Sequence, residues 1–282
     1  MTKPHCLVAA ASALLISAAA VTPAAAQLPS LDKQPWLGHF AAIEHKRFRL
    51  GITNQGKINL VPTNEKGDPV GQSLAIPILV GIEETLPGGS STLKTIKPET
   101  LVTEDKATDE LEKTTIRGKV TGDASFEMII EQDRGVVSIG GRIVEPGTLT
   151  KNPIRFVARF RFPSAYPHNK KITDRKEQKI FDKKIEDDRI DLKWTDGKRV
   201  KESFIDPVDA KSKEINGPGI AAAQVEISAY KDRKFVFLAS PGSSMTLSND
   251  KPAPLHLGFT IQWSPDPAKD PEGKARVTFE VK

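Results

Sequence analysis

The clearest alternation of apolar and polar residues lies between Pro153 and Pro163. Every second residue there is apolar, and the row consists of Ile154, Phe156, Ala158, Phe160 and Phe162. Arg155, Arg159 and Arg161 stand between the apolar positions. Because successive side chains of a strand point to opposite faces, the segment predicts a strand with one apolar and one cationic face.

A second alternating pattern predicts a hairpin near residue 55. A three-residue loop that ends in Gly56 would set Ile52 opposite Ile58 and Leu50 opposite Leu60. Glycine suits the last position of such a loop, where a left-handed backbone is needed. Apolar pattern and turn chemistry therefore predict the same pairing.

A third pattern predicts a hairpin across residues 132–135. A four-residue turn there would place Ile130 opposite Val137 and Met128 opposite Ile139, so that the two apolar rows coincide. The strand that begins at Ile154 would follow this meander.

The segment 168–199 is dense in charged residues and poor in apolar ones. Within it, residues 174–187 begin with an aspartate that is followed three positions later by a glutamate, which fits a helix N-terminus. We expect a charged surface helix there, with Ile180, Phe181 and Ile185 turned inward.

The whole pattern predicts an all-β, mostly antiparallel fold with one short charged surface helix. About fifteen short strands at spacings of about 10–15 residues are typical of sandwiches and barrels. So many strands predict either a large β-sandwich, of the supersandwich type that several carbohydrate-active enzymes use, or two packed sandwiches. Two halves would span residues 27–163 and 164–282; alternatively, residues 36–282 form one continuous domain.

Residues 1–26 have the layout of a signal peptide. Lys3 precedes the apolar run from Leu7 to Val21, and small residues before Gln27 fit a cleavage site. The run of about 15 residues is shorter than the about 20 that a spanning helix needs. We therefore expect export to a periplasm or to the exterior, with no transmembrane segment after cleavage. The single cysteine, Cys6, would be removed with the peptide.

Composition narrows the function classes. The formal net charge is +5, and charges of both signs are mixed, which does not favour nucleic-acid binding. No P-loop, dinucleotide fingerprint or Gly-x-Ser-x-Gly is present, so we expect no cofactor. The histidines are scattered, and Asp266, Asp270 and Glu272 do not match a calcium loop, so no metal site is predicted.

Candidate catalytic residues follow the arginine-bearing strand directly. Tyr166 and His168 leave the sheet together, where loops usually carry function. The neighbouring ligand-binding candidates are Arg155, Arg159 and Arg161. Together with these arginines, Tyr166 and His168 would suit an acidic sugar. A cation would neutralise the uronate while the phenol or the imidazole moves protons. The simpler interpretation, which we favour, is a strand-exit turn with ion-paired arginines.

Tryptophans are the other candidate sugar contacts, because flat rings stack on pyranose C–H faces. Trp194 and Trp263 are in phase with apolar rows and are expected in the core. Trp36, close to the predicted mature N-terminus, is the tryptophan that we expect to be free for a ligand.

Three functions remain open from the sequence. The first is a non-enzymatic exported binding module, or one associated with the envelope, whose partner is a glycan or an envelope component. The second is a carbohydrate-active enzyme, lyase or epimerase-like, on a supersandwich. The third is an assembly partner that lends a sheet edge to another protein.

Overall fold

In the residues that the structure describes, the chain forms a curled antiparallel sheet of seventeen strands. The computed structural model describes residues 27–165, 175–204, 219–231, 233–248 and 255–282. The strands are β1 His39–His45, β2 Phe48–Thr53, β3 Ile58–Pro62, β4 Ile76–Thr85, β5 Ser91–Lys94, β6 Ile96–Val102, β7 Lys113–Val120, β8 Ser125–Asp133, β9 Val136–Glu145, β10 Ile154–Phe162, β11 Arg189–Trp194, β12 Arg199–Ser203, β13 Ile220–Glu226, β14 Lys234–Ala239, β15 Ser243–Ser248, β16 Phe259–Pro265 and β17 Arg276–Val281. The one α-helix of the described residues is α1 Arg175–Lys184.

Two layers arise from the way these strands pair. One layer runs β1-β2-β3-β4-β10-β16-β15, with β5 along the far end of β4. The other runs β14-β17-β9-β8-β7-β6. Strand β13 joins them, because Ile220 pairs with Met245 on β15 while residues 222–226 pair with β14. Strands β11 and β12 extend the sheet from the other side of β13.

The core lies between the layers, and the apolar row of β10 faces it. Phe156, Phe160 and Phe162 are all at most 2% exposed. The ring centroid of Phe160 is 4.9 Å from that of Phe237 on β14 and 5.4 Å from that of Phe279 on β17. The prediction of an antiparallel β-sandwich is therefore confirmed.

The hairpin of β2 and β3 has the predicted register. Ile52 pairs with Ile58 and Leu50 with Leu60. Gly56 has a φ of 75°, the left-handed backbone for which glycine is suited.

The predicted register of β8 and β9 is wrong by two residues. Ile130 pairs with Ile139, and the strands continue until Asp133 meets Val136. The turn therefore has two central residues, Arg134 at φ 49° and Gly135 at φ 84°, as in a type I′ turn. A slip of two residues keeps the same side chains on the core face, so the apolar pattern alone did not exclude it.

The predicted charged helix is present, but one of the residues that were expected to face inward is exposed. The predicted start at residue 174 lies outside the described residues. Ile185 is buried just after α1, and Phe181 is half-buried with its ring centroid 5.3 Å from that of His256. Ile180 is 71% exposed, so the expectation that it faces inward is wrong.

Two predictions from the sequence remain predictions. Residues 1–26 are not described, and the signal peptide stays a prediction; in the described ranges we find no helix that combines the length and hydrophobicity of a membrane span. The division at residue 163 also stays a prediction, although β10 pairs with β4 on one side and with β16 on the other.

Candidate ligand-binding site on the arginine face

The outward side of β10 carries the three arginines predicted from the sequence. We call Arg155, Arg159 and Arg161, together with Glu83 on β4 and Gln262 on β16, the arginine face. β4 and β16 flank β10, and the register places Arg155 opposite Glu83 and Arg159 opposite Gln262. Three strands therefore contribute side chains to one patch.

Polar contacts join four of these side chains: three of them close a ring, and Arg155 is attached to that ring at Glu83. Arg155 Nε donates to Glu83 Oε2 at 2.9 Å, and Arg155 Nη2 lies 2.9 Å from the same oxygen. Arg159 Nη2 lies 3.3 Å from Glu83 Oε1, and Arg159 Nε donates to Gln262 Oε1 at 2.6 Å. Gln262 Nε2 then donates to Glu83 Oε2 at 2.7 Å, which closes the ring.

Glu83 is the charged centre of this ring. Its side chain is 3% exposed, whereas those of Arg155 and Arg159 are 42% and 23% exposed. Burial by itself would raise the pKa of Glu83, but hydrogen bonds from Arg155 and Ser91 and the charges of Arg155 and Arg159 outweigh it and hold the pKa below its ordinary value. Glu83 is therefore ionised at neutral pH.

The charges of the ring and the attached Arg155 do not cancel. Two guanidinium groups share one carboxylate, so the four side chains together carry one more positive than negative charge. Each guanidinium has five N–H donors, and those not bonded to Glu83 or Gln262 remain for a ligand. The patch can hold acceptor groups, such as sugar hydroxyls or a carboxylate, in a fixed geometry.

A second cluster of the same composition provides an internal comparison. On β7, β8 and β9, Arg117 Nε lies 2.8 Å from Glu127 Oε2 and Arg142 Nη2 lies 3.2 Å from Glu127 Oε1. Among the described residues no amide side chain bonds to this cluster to close a ring, and both of its arginines are more exposed than Arg155. It shows what an ordinary cross-strand ion pair looks like in this sheet.

Glu83 and Gln262 were not recognised from the sequence. Glu83 follows the apolar part of β4, and Gln262 lies between Ile261 and Trp263 on β16, with both polar residues buried. A charged or amide side chain inside a buried strand needs polar partners, and that signal was available.

The other candidates fall in different places. Arg161 is exposed near the end of β10, on the same face as Arg155 and Arg159. Tyr166 and His168 lie outside the described residues. Trp36 is 8% exposed, with its ring centroid 5.2 Å from that of His39, so little of its face is left for a sugar.

Trp194 and Trp263 are buried, as predicted. Within the described ranges no group of histidine, cysteine and carboxylate side chains has the arrangement of a metal site.

Comparison with known proteins identifies the fold. No protein-family model and no curated protein matches the sequence. Among solved structures, an α-N-acetylgalactosaminidase from Bifidobacterium bifidum in complex with Gal-NHAc-DNJ superposes with a TM-score of 0.51 at 11% identity. The match covers 86% of this chain and 36% of that chain.

Two further matches have lower scores. The same enzyme in complex with GalNAc gives a TM-score of 0.49 at 11% identity, over 86% of this chain and 35% of that chain. A putative aldose 1-epimerase from Escherichia coli K12 gives 0.42 at 10% identity, over 86% of this chain and 98% of that chain. The chain spans about a third of the length of the galactosaminidase, and at this identity the likeness identifies a shared β-sandwich fold and nothing finer.

Proposed function

We propose that this chain is an exported, non-enzymatic glycan-binding protein that contacts its sugar through the arginine face. The observation that carries the proposal is the ring of Glu83, Arg159 and Gln262, to which Arg155 is attached at Glu83. The ring holds two guanidinium groups in place before a ligand arrives, so little side-chain entropy is lost on binding.

The exposure of the ring agrees with a binding role. Glu83 is enclosed, while Arg155 has nearly half of its side chain in solvent. A ligand would meet oriented N–H donors rather than the carboxylate. Hydroxyl and carboxylate oxygens of a saccharide are acceptors that fit such donors, and the excess positive charge favours glycans that contain uronates.

The protonation state of Glu83 favours binding over acid–base catalysis. A general acid must carry a proton near the operating pH, and a good general base needs a pKa close to it. The arginines keep the pKa of Glu83 below its ordinary value, so the group is a weak base that remains ionised.

A carbohydrate-active enzyme, lyase or epimerase-like, is the second candidate. The fold that the chain shares with part of the α-N-acetylgalactosaminidase favours it. Tyr166 and His168 would be the catalytic residues in this alternative, and they lie outside the described residues.

Export and an envelope-associated partner belong to the same proposal. They rest on the signal-peptide layout of residues 1–26. N-terminal sequencing of the secreted protein would test them, with Gln27 expected as the first residue.

A glycan array tests the proposed function directly. We expect purified protein beginning at Gln27 to bind one class of saccharide and to leave the bound sugar unchanged. Arg155→Ala should reduce that signal, whereas Arg142→Ala should retain it, because Arg142 belongs to the comparison cluster and is similarly exposed.

Three results would contradict the proposal. Absence of any saccharide signal, or an unchanged signal in Arg155→Ala, removes the arginine face as a glycan site. Conversion of a bound saccharide by the wild-type protein, lost in Tyr166→Phe and His168→Ala, supports the enzyme instead.

A further inference from the structure

A second surface, separate from the arginine face, is a groove of about 540 Å³ over β11, β12, β13 and β14. Its charged lining residues are Lys193, Arg199, Lys201 and Asp191. The lining of the groove therefore carries three positive charges and one negative charge. The groove is a distinct place on the sheet, because none of the arginine-face residues lines it.

The cations of this groove are arranged unfavourably for the protein alone. Lys193 and Arg199 pair directly across β11 and β12, and both are exposed. Neither they nor Lys201 forms an ion pair with a carboxylate of the described residues, although ion pairs are frequent elsewhere on this sheet. Like charges directly opposite each other destabilise a sheet, and an anion bound between them would remove that cost.

The floor of the groove is apolar. Ala222 lies between Lys193 on one side and Leu238 on the other in the register of β11, β13 and β14. Its short side chain leaves the depression open, Val236 lines it and Leu238 is exposed. Such a floor suits the C–H face of a sugar ring better than a fully hydrated small anion.

Acceptors for hydroxyl groups complete the groove. Asp191 pairs with Lys201 on one side and with Gln224 on the other. Its side chain is 39% exposed and accepts no hydrogen bond from the described residues; the nearest cation, Arg189 Nε, is 4.0 Å from Oδ2. A ligand that carries hydroxyl groups as well as negative charge could donate to this carboxylate while it contacts the cationic pair.

From these features we propose that the groove binds a sugar acid, a saccharide that carries a carboxylate. The carboxylate lies between Lys193 and Arg199, the ring covers Ala222 and Val236, and a ring hydroxyl donates to Asp191. The site is independent of the glycan contact proposed for the arginine face, and neither requires the other.

Isothermal titration calorimetry with trigalacturonate tests the groove. The titrations use protein in an Arg155→Ala background, so that the arginine face does not contribute. The groove variant is Lys193→Ala/Arg199→Ala. The control variant is Lys66→Ala/Lys106→Ala, which removes the same charge from two exposed lysines outside the groove.

We expect the groove variant to bind trigalacturonate about tenfold more weakly than its parent, while the control stays within about twofold. The fully methyl-esterified trisaccharide, which has the same hydroxyls and no charge, should bind about tenfold more weakly to the parent. Asp191→Asn should weaken trigalacturonate binding without increasing the affinity for the ester.

Several outcomes would overturn the inference. Equal binding by the groove and control variants would show that net charge alone attracts the ligand. Equal affinity for the ester would remove the role of the carboxylate. Inorganic phosphate that displaces trigalacturonate at equal concentration would make the groove a general anion site. A failure of the arginine face on the glycan array would leave the groove inference standing, because the titrations already use the Arg155→Ala background.

Discussion

Replacing Glu83 with glutamine tests the energetic role of the buried carboxylate. The substitution keeps the shape of the side chain and removes its charge. The ion pair with Arg155, whose side chain is 42% exposed, contributes about 1 kcal/mol. Arg159 is more enclosed, and loss of its counter-charge should cost about 1–3 kcal/mol. Together these terms predict that Glu83→Gln lowers the free energy of unfolding by about 2–4 kcal/mol.

The assay is thermal unfolding of the mature protein, with Glu127→Gln as the matched control. For a domain of this size the expected loss corresponds to a fall in Tm of about 4–12 °C. Glu127→Gln should cost about 1 kcal/mol or less, because its arginine partners are roughly half exposed.

The pH dependence of this difference has a defined sign. The pKa of Glu83 is lower in the folded protein than in the unfolded chain. Its stabilising effect is therefore fully present above the unfolded glutamate value of about 4.3 and is lost as the pH falls through the folded value. The gap in Tm between wild type and Glu83→Gln should narrow in acid. Equal Tm values at neutral pH, or a gap that is constant down to about pH 3, would refute this reasoning.

Three further predictions concern the fold. Phe160→Ala should destabilise the protein by about 3–5 kcal/mol in urea unfolding, because its ring joins the two layers; a loss below about 1 kcal/mol would contradict the packing. Arg134→Asn, which creates an Asn-Gly turn, should raise stability by up to about 1 kcal/mol, and a fall in Tm would argue against the two-residue turn. Ile185→Ala should cost about 2–4 kcal/mol and Ile180→Ala less than about 0.5, an order that would reverse if Ile180 faced the core.

The sequence predicted the core-facing residues of most strands because a strand has a side-chain period of two. The row from Ile154 to Phe162 and the β2–β3 hairpin were found in this way. The register between β8 and β9 could not be predicted in this way, because pairings that differ by two residues bury the same side chains. Arg134 adopts a positive φ without the usual asparagine or glycine, which concealed the turn.

The candidate site was only half predictable from the chain. The three arginines of β10 were visible as an alternating row. Their partners were not, because Glu83 is 72 positions from Arg155 and 179 positions from Gln262. Such distant pairs depend on which strands become neighbours, and no local pattern encodes that order. The enclosure of Trp36 by His39 could not be predicted from the sequence, because it is a tertiary contact.

The most direct test of the account observes the arginine side chains during glycan binding. We would record the Nε–H NMR signals of the mature protein while adding the saccharide that the array identifies. The signals of Arg155 and Arg159 should shift and saturate together, whereas those of Arg117 and Arg142 should stay in place. Unchanged signals from Arg155 and Arg159 at saturating saccharide would contradict the claim that the arginine face binds the glycan.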